Sequence, residues 1–405
     1  MSYRKFRASQ LFNGYEMLED QPVLIADEKG VIEAIVPLDV AGDGVQTMEG
    51  ILSPGFINSH CHLELSHMKG IVPEKTGMTD FILTVLKNRS QPEEAIVDAI
   101  ERAEEEMLQN GIVAVGDICN TTHSLLQKKK GRLYYHNFIE AIGFDPSQAE
   151  QRFSTSSFLF NDFAQQYGLP IESNSMVPHA PYSVSPELFQ RIINFPGNHI
   201  LTMHNQESEP ENELFISKTG DFLRLYAQLN LDLSFFQPSG KTSLETVFPY
   251  FKKNQTIILV HNVTTSENDF RYLANAKYAT QFPGFNQNSP DLYFCLCPNA
   301  NKYIGNSLPN VDLLRNSKYP IVIGTDSLAS NNQLNILEEL KALQHQSPDV
   351  GLQELLQWAT LNGAKALQLE ERLGSFEKEK TPGILLITET KNNLLTAKSQ
   401  VERLL

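Results

Sequence analysis

Eight short apolar runs recur through this chain with helix-period or polar stretches between them, and that alternation narrows the possible folds more than any other feature. The runs cover 51–59, 111–118, 133–142, 172–178, 199–204, 256–261, 292–297 and 319–324. Each is an apolar strand candidate. The clearest helix lies between the first two, over 91–110. There Ala95, Ile96, Ala99, Ile100, Ala103, Met107 and Leu108 fall at three- and four-residue steps, and Asn110-Gly111 supplies the stop. Glu101, Glu104, Glu105 and Glu106 then form mostly its wet face. A further helix is expected over 352–367, with the only tryptophan, Trp358, packed into the core. Strands interleaved with helices in this way imply an α/β chain, a (β/α)8 TIM-type barrel whose site lies at the carboxyl ends of the strands. Periodicity alone also fits an open doubly wound sheet.

The ends have a different texture. From Lys5 to Met48, short alternating runs such as Val23-Leu24-Ile25-Ala26 are punctuated by Asp27-Glu28-Lys29-Gly30, which reads as hairpin strands. The same texture returns after Leu373. The expected division is a small β-sandwich from residues 1–54 and 371–405 and a barrel over 55–370, which suits a chain of 405 residues.

A formal net charge of −15 opposes a nucleic acid polymer as partner. The one dense basic run, Lys128-Lys129-Lys130-Gly131-Arg132, has no aromatic neighbour before Tyr134 and reads as a solvated loop. No apolar stretch reaches bilayer length, and Met1–Arg7 leads into no signal-peptide core, so a cytoplasmic location and no membrane partner are expected. Cys61, Cys119, Cys295 and Cys297 all sit in apolar segments, which points to reduced, buried thiols.

The chemistry concentrates where strands end. Side chains two apart in an extended chain share a face, so His60 and His62 can converge on one cation while Cys61 turns away. Neutral imidazole suits zinc or iron. His204, His261 and Asp326 also come at or just after the last apolar residue of a run. His67, His123, His136, His199 and His345 lack convergent partners and are read as structural or surface residues.

The phrase Ser53-Pro54-Gly55-Phe56-Ile57-Asn58-Ser59-His60-Cys61-His62-Leu63 resembles the first-strand signature of the amidohydrolase superfamily, in its cytosine, guanine and adenosine-analogue deaminase branch. His204-Asn205-Gln206-Glu207 is similar to that branch's fifth-strand H-x-x-E. Ile258-Leu259-Val260-His261 is similar to its sixth-strand histidine, and Gly324-Thr325-Asp326-Ser327 to its eighth-strand aspartate. The resemblance runs over nearly the whole chain in the family's order.

It implies one divalent metal ion, zinc before iron, held by His60, His62, His204 and Asp326 with room for water, whose proton becomes easily lost. Asp326 is the expected acceptor of that proton, Glu207 the proton shuttle, and His261 the group that orients water or stabilises developing charge. Some members bridge two metals with a fourth-strand lysine; 171–182 contains none, so a single metal is expected. His179 resembles a substrate-facing histidine. Glu64 would join it if the extended run continued past His62. The spacing His62-x-Glu64 also mimics the unrelated cytidine-type deaminases, but Cys295-Leu296-Cys297-Pro298 lacks their P-C-x-x-C.

The expected activity is therefore deamination of a purine-like or related heterocycle by metal-activated hydroxide, with release of ammonia. Lys69 stands where an arginine is usual, which looks more like the branch containing the aminodeoxyfutalosine deaminases. The expected partner is a small heterocyclic substrate, and a homodimer is compatible with this reading. Two alternatives stay open: hydrolysis of a cyclic amide or chlorinated triazine on the same metal, and a non-catalytic barrel scaffold.

Overall fold

The computed structural model describes residues 2–166, 173–278 and 290–405. Two four-stranded parallel sheets occupy the middle of the chain. Strands β1 (Phe56–Cys61), β2 (Ile112–Cys119), β3 (Tyr134–Ala141) and β4 (Asn174–Pro178) form one, in the order β4-β3-β2-β1. Strands β5 (Ile200–Asn205), β6 (Thr256–His261), β7 (Asp291–Leu296) and β8 (Ile321–Ile323) form the other in sequence order. Each overlaps one apolar run, but the run over 51–59 divides at Gly55, its first half, Ile51–Pro54, pairing in a separate sheet; Glu172, at the start of the fourth, lies outside the described residues. Every residue of β1, β2, β5 and β6 is buried, as parallel strands covered on both faces must be.

The two sheets meet at two hydrogen-bonded seams. The carbonyl of His60 accepts the N–H groups of Thr325 and Asp326, each at 3.1 Å, just past β8. The carbonyl of His179, just past β4, accepts the N–H of His204 in β5 at 2.9 Å. Gly324 permits the first seam, because a Cβ there would lie 2.9 Å from both the Cβ and the carbonyl oxygen of His60. One apolar cluster runs through both sheets, from Ile57, Val115 and Phe138 to Leu259, Phe294 and Val322. Trp358 belongs to it, on a helical segment that widens to a π turn over Trp358–Asn362.

The chain ends share structure. Ile384–Thr388 pairs antiparallel with Ile51–Pro54, which pairs with Gln10–Phe12. A second sheet holds Tyr3–Arg7, Val23–Asp27, Ile32–Val36 and Val45–Thr47. Phe6, Leu24 and Ile32 from that sheet pack with Leu52, Ile384 and Leu386 from the first. No helix among the described residues is long and apolar enough to cross a membrane.

Helix α1 (Met78–Asn88) precedes the expected long helix, α2, which spans Glu93–Gln109. Its wet face needs one correction. Glu104 is fully buried and accepts hydrogen bonds from Gln127 and, at 2.9 Å, from the Tyr135 hydroxyl. The basic run needs another, because Lys128 closes a short helix, α3 (Leu125–Lys128), and is buried rather than solvated. Its Nζ lies 2.5 Å from Asp117 Oδ2 and donates to Asn137 Oδ1 at 2.7 Å. A charged side chain enters a core only with such partners. Lys128→Ala, which strands the Asp117 carboxylate, is expected to destabilise the fold by about 3–5 kcal/mol in urea unfolding. A loss under about 1 kcal/mol would place this pair with exposed bridges instead.

Candidate active site

His60 and His62 emerge from the end of β1, His204 from β5, and Asp326 from the turn after β8. Their side chains converge. Nε2 of His62 lies 3.2 Å from Nε2 of His60 and 3.3 Å from Nε2 of His204, while Asp326 Oδ1 lies 3.5 Å and 3.4 Å from the His60 and His62 nitrogens. One donor atom from each of the four falls within 4.8 Å of all the others.

The protonation pattern makes these donors free to ligate. Burial pushes His62 down to about 3 and His204 well below the usual imidazole range, so both rings are neutral. Nδ1 of His204 lies 2.8 Å from the His179 carbonyl, which accepts its proton and leaves Nε2 with a bare lone pair. Burial works against the charge on Asp326, but the hydrogen bond with His60 and the facing imidazoles outweigh it and hold the carboxyl well below its ordinary value. Ser330 donates its hydroxyl to Asp326 Oδ2. Three imidazole nitrogens and a carboxylate oxygen gathered this closely make a donor set that suits a nitrogen- and oxygen-liganded divalent cation.

Glu207 and His261 stand beside this group, with Glu207 Oε1 3.4 Å from His261 Nε2. Burial, then the charges of Asp326 and Glu211, raises Glu207 well above the usual carboxyl range. The Glu211 carboxylate accepts the N–H groups of Gln206 at 2.9 Å and Glu207 at 3.1 Å, fixing the turn that presents the side chain. His261 donates Nδ1–H to Asn301 Oδ1 at 2.9 Å. Gln206, His261 and Asp326 all take positive φ (47°, 75° and 58°), strain of the kind that gathers at working sites.

A cavity opens from these residues, and His179 and Glu64 both line it. His179 is held by Ser183 Oγ, 2.6 Å from Nδ1. Glu64 arrives by a different path from the one expected. The extended run does not continue: His62 has ψ 77°, and Leu63–Met68 winds into a 3₁₀ helix. The Glu64 carboxylate accepts from Asn120 N at 3.0 Å and from Thr121 N and Oγ1, each at 2.9 Å.

Sequence reasoning missed Glu140, at the end of β3. It lines the same cavity and accepts from Asn120 Nδ2 at 3.0 Å through Oε2, while its buried Oε1 has no hydrogen-bond partner and lies 4.0 Å from His204 Nδ1. Burial raises it to about 7. The only available signal was an acidic residue amid the apolar Phe138-Ile139-Glu140-Ala141. The outer wall is apolar, with Phe81, Ile82 and Val85 of α1 facing Leu225 and Leu229, and Arg89 just past α1 is its cation.

Comparison with known proteins gives a consistent picture. A model of the amidohydrolase family matches residues 51–401. An aminodeoxyfutalosine deaminase of Nitratiruptor sp. is 26% identical over 327 residues, covering 79% of this chain and 75% of that protein. An adenosine deaminase of Helicobacter pylori is 26% identical over 335 residues, covering 82% and 77%. Among solved structures, the H. pylori aminofutalosine deaminase in complex with methylthio-coformycin has a TM-score of 0.75 at 24% identity and covers 97% of this chain and 93% of that one. A zinc-bound adenosine deaminase of Xanthomonas campestris has a TM-score of 0.66 at 20% identity, covering 95% and 84%. These likenesses show a shared fold.

Proposed function

The chain belongs to the amidohydrolase family, and we propose that its site deaminates a purine-like heterocycle, replacing an exocyclic amino group with oxygen and releasing ammonia. The carrying observation is the convergence of His60, His62, His204 and Asp326 on one point, with the acid Glu207 beside it. We read the two parallel sheets as halves of a closed (β/α)8 barrel over 55–370, and the two terminal sheets as a β-sandwich from 1–54 and 371–405. The shared apolar clusters and the two seams support both readings.

His60, His62, His204 and Asp326 would hold one divalent ion, zinc before iron given three imidazoles and a carboxylate. When bound, it supplies Lewis acidity that brings the pKa of water down to about 7. Asp326, kept ionised, takes the proton lost by the attacking water. Glu207, kept protonated, delivers its proton to the ring nitrogen next to the attacked carbon and so prepares it for the tetrahedral state. His261 orients the water and meets the charge that develops at the attacked centre. The proton held by Asp326 passes to the amino nitrogen, which leaves as ammonia as the carbon–nitrogen bond breaks, and the proton of the new hydroxyl returns to Glu207 as the carbon–oxygen double bond forms.

Glu140 extends the reading to the rest of the substrate. A buried carboxylate oxygen with no partner invites a donor, and on an adenosine-type substrate the sugar hydroxyls are the donors left after the reacting edge is engaged. Glu140→Ala is then expected to lower kcat/KM for adenosine roughly 10- to 100-fold, the worth of one hydrogen bond to a charged group. Deamination of the free base adenine should change little; an equal loss on both would remove Glu140 from substrate contact.

Ammonia release across adenosine, 5′-substituted adenosines, guanine, cytosine and a chlorinated triazine tests the activity itself. Turnover of an adenosine derivative with stoichiometric ammonia is the expected result. Chloride release from the triazine with no ammonia from any amine would reject it.

A further inference from the structure

Asp117 and Lys128 form the most deeply buried ion pair among the described residues, and neither belongs to the site described above. Both are sealed from water, at 0% and 3% exposure. Lys128 spends its three protons on Asp117, Asn137 Oδ1 and Cys119 Sγ at 3.1 Å, and its ammonium lies over the rings of Tyr135 and Phe163. Only one oxygen of Asp117 faces the lysine. The other, Oδ1, accepts the backbone N–H of Leu63 at 2.8 Å.

That N–H is the first of the 3₁₀ helix Leu63–Met68, a donor that no helical carbonyl can reach. It follows directly on His62. The chain leaves the extended conformation at His62, with φ −120° and ψ 77°, and this departure swings the ring so that its Nε2 meets those of His60 and His204. A strand that ran on would carry Leu63 elsewhere and leave the Asp117 carboxylate unmatched.

We infer that Asp117, neutralised by Lys128, is a positioning residue that clamps the Leu63 amide and thereby sets the orientation of His62 toward the cation. The inference rests on the metal reading above. The ammonium pairs with one oxygen of the carboxylate inside the core, and the other oxygen holds the turn. Groups that orient a metal-binding side chain from outside the coordination shell typically change affinity by roughly 10- to 100-fold when removed.

Co²⁺ titrated into the metal-stripped full chain provides the test, with the Kd from chelator competition and the visible absorption spectrum as readouts. Replacing the whole pair, Asp117→Leu with Lys128→Met, removes the clamp without stranding a charge. This variant is expected to bind Co²⁺ at least about tenfold more weakly and with an altered spectrum. Asp117→Asn with Lys128→Met keeps an oxygen for Leu63 while losing both charges and the lysine's bonds to Asn137 and Cys119, so affinity and spectrum should return to those of the wild type. If the first variant does not fold, Asp117→Ser with Lys128→Met, too short to reach Leu63, takes its place with the same expectation. Wild-type affinity and spectrum in the clamp-free variant would overturn the inference, as would failure of the asparagine variant to recover them. A wild-type protein that takes up no Co²⁺ would instead reject the metal assignment beneath it.

Discussion

Glu207→Gln is expected to retain its metal and to lose turnover by about 100-fold or more. The substitution preserves shape and hydrogen-bonding reach, and the Glu211 carboxylate still holds the backbone of Gln206 and residue 207. What disappears is the proton. Glu207 lies outside the group whose donors converge, so the cation should be unaffected. Metal content by mass spectrometry and ammonia release by a coupled assay separate the two effects. Turnover near that of the wild type would strip Glu207 of its role, and loss of metal would make it a ligand.

His204→Ala should act in the opposite way, on occupancy first. Four-ligand structural zinc sites in zinc-finger peptides are worth about 10–16 kcal/mol in all, and on that scale one of four ligands carries about 3 kcal/mol, so its removal raises Kd by about 100-fold. The ring also sits at the seam between β4 and β5, where Nδ1 and the backbone N–H both bond the His179 carbonyl. The backbone bond survives the substitution. The fold should therefore persist while chelator-competition measurements show weak binding, and activity should return in part at high metal concentration. Full affinity in this variant would take His204 out of the donor set.

Sequence alone carried the eight parallel strands and the convergent donors because both are written locally. A strand buried on two faces must be apolar along its length, and His60, His62, His204, His261 and Asp326 stand where such runs end, in segments that the resemblance to the family's motifs singled out. Residues whose meaning comes from a distant partner were not. Lys128 reads as one of several exposed lysines until Asp117 is placed beside it, and Glu104 reads as one acid of four until Gln127 and Tyr135 approach. Glu64 was assigned to the right cavity on the wrong geometry, because the 3₁₀ turn that carries it is capped from a neighbouring strand. Glu140 offered only an acid set among apolar neighbours. Its significance is an unmatched oxygen, visible only once the cavity around it exists.

Anomalous diffraction at the zinc edge from crystals of the active full chain tests the central claim most directly. One peak per chain is predicted, about 2.0–2.2 Å from Nε2 of His60, His62 and His204 and from a carboxylate oxygen of Asp326. A peak elsewhere, a second bridged peak of equal height, or full activity in protein that holds no metal would contradict it.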